Sequence, residues 1–454
     1  MLISPHSVSA RGSKLLRFSS FVTVATIMVL HGCSTQPVAP PPVPPPAQKP
    51  APVAVEPIPA PVLSTPPAPA EQMAPPPSAP ACACPEAATP KPAEAPRGKM
   101  EPAATWDDLP GWGSDPLAPS LAAFLQSCSV LDSEPDWKTA CAAAAKLPTK
   151  VKNRQLREFF ERNFTPHHVV NGDGTDTGMI TGYYEPLLFG SRTKTDRYRY
   201  PLYSPPDDLL TIDLSSVYPE LKNKRLRGRL EGNRVVPYLS RADIETTAPP
   251  LQGKELVWVD DAIDAFFLQI QGSGQVKLDN GDTMRVGYAD QNGHPFRSVA
   301  RYLVQKREMR LEQTSMQGLK AWARANPDKL DAFLNFNPSY VFFKELPLNL
   351  PGPIGTLGVP LTAERSVAVD QRVVPLGVPV YLATTFPNTK MPLNRLMVAQ
   401  DTGGAINGAV RADFFWGFGD EAGKVAGVMK QSGRMWVLLP KGYSPPVQPL
   451  PESQ

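Results

Sequence analysis

Apolar residues recur at helical intervals from Leu121 to Phe160, with Leu121, Phe124, Leu125 and Cys128 on one stripe and Leu156, Phe159 and Phe160 on another. A turn at Ser133-Glu134-Pro135 divides the stretch, so it reads as a helix-turn-helix. The turn-rich run Asn171-Gly172-Asp173-Gly174-Thr175-Asp176 follows, and short β-type runs punctuated by Gly, Pro and Asn extend to about Tyr288. Helical spacing returns from Phe296 to Phe336, broken at Asn326-Pro327. Beyond it the pattern is β-rich again, in Ser366-Val367-Ala368-Val369, Val378 to Leu382, Leu396 to Ala399 and Met435 to Leu438. Many short strands with few intervening helices argue for small barrels rather than a doubly wound sheet.

The start of the chain has a different pattern. Arg11, Lys14 and Arg17 precede an apolar stretch from Phe18 to Leu30, too short to span a membrane but of the length of an export-signal core. It ends in Leu30-His31-Gly32-Cys33, which resembles the lipobox of bacterial lipoproteins, although His31 replaces the small residue usual there. Residues 1–32 are therefore expected to be a lipoprotein signal, with Cys33 lipidated. Ser34 in place of Asp favours the outer membrane, with the protein facing the periplasm. About two dozen of the 55 prolines lie between Pro37 and Pro102 with few bulky apolar neighbours, so residues 33–105 are expected to be a disordered, polyproline-like tether. At about 3.1 Å per residue such a tether reaches roughly 200 Å at its limit. The net charge of +3 is slight and no basic stripe interleaves with aromatics, which argues against nucleic acid as a partner. The densest basic patch, Arg225-Leu226-Arg227-Gly228-Arg229, reads as a solvated loop or hairpin. In an oxidising compartment Cys128 and Cys141, brought together by the helix-turn-helix, are expected as a disulfide rather than two buried thiols, while Cys82 and Cys84 fall in the tether.

Three blocks carry more Gly and polar groups than a core strand tolerates: Thr181-Gly182-Tyr183-Tyr184-Glu185-Pro186, Gln269-Ile270-Gln271-Gly272-Ser273-Gly274, and Gln400-Asp401-Thr402-Gly403-Gly404-Ala405-Ile406. Each alone reads as a strand with a bulge. Together they bring flat rings, amides and close backbone approaches suited to a polyhydroxylated, N-acetylated ligand.

By these blocks, in this order, the chain resembles the membrane-bound lytic murein transglycosylases of the A type, over nearly all of Trp106 to Pro440. A fourth block, Ser366 to Asp370 with Val374-Pro375-Leu376-Gly377, is similar to the start of that family's C-terminal three-aspartate domain, whose aspartates match Asp370, Asp401 and Asp413. The resemblance implies a mainly β protein with flanking helices: a double-psi β-barrel split in sequence (106–186 and 338–440), a smaller β-domain inserted at 187–337, a groove between them, and a tail at 441–454. It implies Asp401 as catalytic acid, with Asp413 and Asp370 supporting. Thr181, Tyr183, Tyr184, Glu185, Gln269, Gln271, Gly272, Ser273, Gly274, Thr402, Gly403 and Gly404 become the expected substrate-binding residues. The expected partners are peptidoglycan glycan strands, outer-membrane lipid through Cys33, and a cell-wall protein complex; no cofactor or metal is implied.

Elementary chemistry agrees with a single acid. Cleaving a glycosidic bond needs a proton delivered to the leaving oxygen, and an Asp still holds one near neutral pH only when its surroundings raise its pKa. Ordinary glycosidases need a second carboxylate; a transglycosylase does not, because the C6 hydroxyl of the muramic acid attacks. Three rivals remain at this level: a non-catalytic peptidoglycan-binding lipoprotein, a hydrolase using Asp401 with Asp413, and an aspartic protease built on the triplets Asp401-Thr402-Gly403 and Asp176-Thr177-Gly178. The last is weakened because Asp176 lies in a polar turn and no hydroxyl residue follows either Gly. His167-His168 has no matching ligand set, and Asn171 to Asp176 reads as a plain turn rather than a calcium loop.

Overall fold

Helices gather first at the N-terminal end. Ala118–Leu131, Pro135–Ala145 and Asn153–Asn163 are α-helices, the second opened by Pro135 at a position where no N–H is needed. Their apolar stripes put Phe124, Trp137, Phe159 and Phe160 into one aromatic cluster with Phe164. Cys128 and Cys141 are joined by a disulfide between the first two helices, with Cα atoms 5.4 Å apart. The computed structural model describes residues 98–221, 224–246 and 251–443. The expected export signal, Cys33, Cys82, Cys84 and most of the tether lie outside them.

Under this helical layer lies a mainly β body. An eight-stranded sheet contains a closed ring of six strands, in the order Lys430–Pro440, Pro379–Thr385, Pro392–Asp401, Ser366–Val369, Ala412–Phe418 and Gly178–Glu185, the last pairing back onto the first. Closure removes the free edges that an open sheet would leave. The eleven residues of Lys430–Pro440 make this possible: Lys430 to Gly433 pair with Gly178 to Thr181, while Trp436 to Pro440 pair with Phe164 to His168. The strand Phe164–Val170, which carries His167 and His168, is flanked in turn by Lys99–Ala103. The strand Lys99–Ala103 thus lies inside the stretch expected to be tether up to 105.

A second, six-stranded sheet follows the order Val341–Leu346, Thr283–Gln291, Ser273–Leu278, Leu187–Ser191, Glu255–Val259, Tyr200–Tyr203. Val341–Leu346 belongs here, so the boundary expected at 337/338 falls too early. The chain rejoins the ring only at Ser366–Val369. The stretch read as β-type also contains two helices, Arg241–Thr246 and Ala262–Gln271. In the longer one, Phe266-Phe267-Leu268 is apolar all round because both faces are covered: Ile263, Phe266 and Phe267 pack on the helices Val299–Gln305, Met316–Ala325 and Leu330–Asn335, and Ala265 and Leu268 on the sheet. Asp261 caps its start, accepting from the Ile263 and Asp264 N–H groups at 2.7 and 3.0 Å, and Gly272 ends it with φ of 82°.

The chain crosses between the sheets at Glu185. This carboxylate is 1% exposed and lies 2.9 Å from Arg285 Nε, without the alignment of a hydrogen bond, on the strand Thr283–Gln291. Arg285 Nη1 also donates to the Leu350 carbonyl on the returning segment, at 2.8 Å. One buried charge pair therefore holds both crossings. Burial keeps the Glu185 carboxyl above its ordinary pKa even beside Arg285, so the pair fixes geometry rather than adding net stability. Removing one partner is another matter: Glu185→Ala is expected to lose about 3–5 kcal/mol in urea unfolding, because Arg285 is left buried and uncompensated. The double variant Glu185→Leu/Arg285→Met is expected to recover most of it. A loss under 1 kcal/mol for Glu185→Ala would refute this reading.

Candidate active site

Four strands of the ring line up one row of residues. Asp401 is opposite Ala368, Ala368 opposite Asp413, and Asp413 opposite Thr181. Residues paired across neighbouring strands point to the same face, so the two carboxylates share one wall, with the small Ala368 side chain between them. A register slip between Val367 and Ala368 puts Asp401, not Gln400, into the row. Gln400 instead turns inward, where Nε2 donates to the Ala123 carbonyl at 2.8 Å and to Ser127 Oγ at 3.0 Å.

Asp401 is surrounded by donors of unequal number at its two oxygens. Oδ1 accepts from the Thr356 N–H (3.0 Å), the Thr356 hydroxyl (2.9 Å) and the Thr402 N–H (2.9 Å); Oδ2 accepts only from the Tyr183 hydroxyl, at 3.0 Å. Burial raises the pKa of this carboxyl, and the bonds from Thr356, Thr402 and Tyr183 oppose that without cancelling it. Tyr183 is itself pushed well above its ordinary value by burial and by the two carboxylates, so it stays a donor. Asp413 is pushed up to about 6 by burial, with the Asp401 charge adding and Thr181 and Arg411 opposing; the Thr181 hydroxyl donates to its Oδ1 at 2.6 Å. Such a wall can hold a transferable proton near neutral pH.

Asp370 is different. Arg372 grips it with Nε on Oδ1 (2.8 Å) and Nη2 on Oδ2 (2.6 Å), and the N–H groups of Arg372 and Gly408 add bonds of 3.1 and 2.9 Å. Burial alone would raise its pKa, but these bonds outweigh it and hold the carboxyl below its ordinary value.

The wall faces a groove of about 560 Å³. Thr356, Asp401 to Ile406 and Asp413 line it from the ring, Gln269 to Ser273 from the helix end, and Arg225, Arg227, Tyr288, Asp290 and Lys344 from the other side. Of the expected binding residues, Gln269, Gln271, Gly272, Ser273, Thr402, Gly403 and Gly404 lie on the groove, while Thr181 and Tyr183 reach it through Asp413 and Asp401. Gln269 is mostly buried, its Oε1 taking the Arg241 Nη2 (2.7 Å) and the Val341 N–H (3.2 Å). Gln271 is held by the Tyr184 N–H at 2.9 Å.

Three expectations are corrected. Tyr184 alternates to the opposite face from Tyr183 and packs in the ring core against Gly423. Glu185 is taken up by Arg285. Gly274 serves packing, since a Cβ there would meet Leu268 Cδ1 at 2.4 Å. Arg225 to Arg229 does enter a hairpin, Arg227–Glu231 with Arg234–Pro237, but Arg225 and Arg227 face the groove instead of solvent alone. Thr356 went unread; its signal was the Gly- and Pro-rich connection Gly352-Pro353-Ile354-Gly355, long enough to be functional.

Known proteins are similar to this chain over both sheets. Residues 179–344 match the family profile described as the MltA specific insert domain, and 365–439 match the 3D domain. The membrane-bound lytic murein transglycosylase A of Escherichia coli K12 is 31% identical over 293 residues, covering 63% of this chain and 71% of that one. The crystal structure of MltA from Neisseria gonorrhoeae, monoclinic form, is 41% identical with a TM-score of 0.67, over 78% of this chain and 99% of that one. That of E. coli MltA with bound chitohexaose is 25% identical with a TM-score of 0.57, over 76% and 94%. Fold and site together define an enzyme of the peptidoglycan lytic transglycosylase class. The chain belongs to the membrane-bound lytic murein transglycosylase A family.

The bonding of Asp370 makes it a support of the loop at Asn407 and Gly408. Asp370→Asn is expected to lower stability by about 2 kcal/mol, since a hydrogen-bonded buried charge is lost. Because the folded pKa is depressed, the stabilisation is fully present above the unfolded value of about 4 and fades as pH falls through the folded one. Urea midpoints of wild type and variant should therefore converge below pH 4 and differ at pH 7. Equal midpoints at pH 7 would remove the structural role.

Proposed function

We propose that this enzyme cleaves the β-1,4 bond between N-acetylmuramic acid and N-acetylglucosamine of peptidoglycan, using Asp401 first as acid and then as base. The carrying observation is the asymmetry of Asp401. Three donors occupy Oδ1, which leaves Oδ2 as the oxygen to hold the proton. In the first step Oδ2–H protonates the glycosidic oxygen, and the N-acetylglucosamine leaves with its 4-hydroxyl restored. The muramic C6 oxygen then bonds to C1 while Asp401 takes the proton from that hydroxyl. No water is consumed, and the product ends in a 1,6-anhydro ring. Asp413 stands on the same wall, two strands away, rather than across the sugar, where a nucleophile or water-activating base would be needed. This supports one acid over the two-carboxylate hydrolase. The chitohexaose bound to the E. coli relative supports a glycan as the groove's occupant.

The closed six-strand ring is consistent with the double-psi barrel, with 187–346 as the inserted domain carrying the opposite groove wall. We further assign the enzyme to the outer membrane, facing the periplasm on its Pro-rich tether and lipidated at Cys33, in keeping with the membrane-bound relatives; there it works on the cell wall, in company with a cell-wall protein complex.

Four measurements test this. Asp401→Asn should fold normally, retain glycan binding and lose about 10²–10⁴-fold in single-turnover cleavage; Asp413→Asn should keep part of the rate. The alkaline limb of wild-type kcat/KM should lie above the ordinary carboxylate range, because the Asp401 pKa is raised. Digested sacculi should yield muropeptides one water lighter than hydrolysis products. Reducing-end muramic acid as the main product would sink the transglycosylase mechanism, and a dead Asp413→Asn beside an active Asp401→Asn would exchange the two roles. For the anchor, Cys33→Ala should abolish incorporation of labelled palmitate while leaving cleavage by the purified enzyme intact. Unchanged labelling would dispose of the lipid attachment.

A further inference from the structure

The arginines around the groove are not equivalent. Arg227 is bound to Asp290, with Nε at 2.9 and 3.0 Å from the two carboxylate oxygens. Arg241 Nη1 meets Glu245 at 3.1 Å, and Arg372 grips Asp370. Arg225 has no carboxylate partner among the described residues. Its guanidinium lies over the Tyr288 ring, 5.7 Å from the centroid, and Nη2 donates to a neutral oxygen, Thr402 Oγ1, at 3.1 Å. The side chain is exposed.

Its position is as informative as the neutral character of these partners. Thr402 follows Asp401 directly, and its hydroxyl meets that of Thr356, which donates to Asp401 Oδ1. Arg225 thus stands two side chains from the acid. Beside it a recess of about 200 Å³ opens off the groove, walled by Asp370, Arg372 and Asn407 along with Thr402 to Gly404. Arg225 borders both spaces. A linear glycan fills a groove; a side recess at the reacting sugar suits a substituent branching from it. Lys344, also exposed on the groove, adds to the positive field without reaching Thr402.

We propose that Arg225 is a specificity-determining residue that binds a carboxylate on the lactyl arm of the muramic acid, the arm entering the side recess. The inference rests on the proposed glycan-cleaving role of the groove and deepens it. Two sources supply that chemistry: the lactyl carboxylate itself, when no peptide is attached, or the carboxylates of the attached peptide. A planar guanidinium already resting on an aromatic face exchanges the weak Thr402 contact for a two-pronged, charge-assisted one at little ordering cost.

The test uses the full-length enzyme carrying Asp401→Asn, so that binding is read without turnover. Affinities are measured for peptide-bearing glycan strands, for the same strands stripped of peptide by an amidase, and for chitohexaose, which has no carboxylate. Adding Arg225→Gln should weaken binding of a carboxylate-bearing strand about tenfold at low salt and less at high salt, with chitohexaose unchanged. Arg225→Lys, which keeps the charge but not the fork, should recover only part of the loss. Dependence confined to peptide-bearing strands assigns the contact to the peptide, and dependence confined to stripped strands assigns it to the lactyl group. Equal weakening of all three ligands would overturn the proposal and leave Arg225 as a brace for Thr402, and so would no weakening of any. Turnover of sacculi by enzyme with Asp401 intact judges the catalytic reading separately: absence of anhydro products there, with selective binding preserved, removes the mechanism and not the carboxylate contact.

Discussion

A single extra residue between two parallel strands decides which side chain meets the groove. Without the slip between Val367 and Ala368, Gln400 would occupy the row beside Asp413 and Asp401 would turn away from it. A one-residue shift of a strand exchanges its faces, so the local irregularity is what sends Gln400 towards the first helix and Asp401 towards solvent. The inward Gln400 secures the arrangement through its bonds to Ala123 and Ser127, and thereby couples the strand of Asp401 to the disulfide-bridged helical layer. Ala368 completes the constraint, because a larger side chain would stand between the carboxylates.

The opposite wall depends on a different kind of contact. Glu185 ends the strand that carries Thr181 and Tyr183, and Arg285 lies on the strand that carries Tyr288 and Asp290 further along. Their buried pairing orients the two sheets at the point where the covalent chain passes between them, and Gln271 Oε1 adds a neutral bond by accepting from the Tyr184 N–H. The groove is thus defined by a register on one side and by a charge pair at its hinge end.

Much of this was legible in the sequence, for identifiable reasons. Asp401 stood out because an apolar strand that ends in a carboxylate and two glycines is a poor core and a good site. The helical pairing of Cys128 with Cys141 followed from the spacing around Pro135. Other features were hidden by how short-range patterns work. Tyr183 and Tyr184 are adjacent and chemically alike, and only the strand's alternation, fixed by distant partners, sends one to Asp401 and the other into the core. Phe266-Phe267-Leu268 looked like a buried strand because a helix covered on two faces loses its amphipathic period; the capping Asp261 and the terminal Gly272 were the better signals. Thr356 and Arg225 lie 45 and 177 residues from the groups they touch, beyond any local pattern.

The ring is closed by Lys430–Pro440, the last strand among the described residues, which meets the residue row through Thr181. Asp413 and Thr181 are themselves 232 residues apart. Contacts of such long separation form late in folding, after large loops have been closed. The local sequence around Asp401 does not bury it; the packed strands of the ring do. The raised pKa of Asp401 is therefore a property of the closed ring and not of the residues that flank it in sequence.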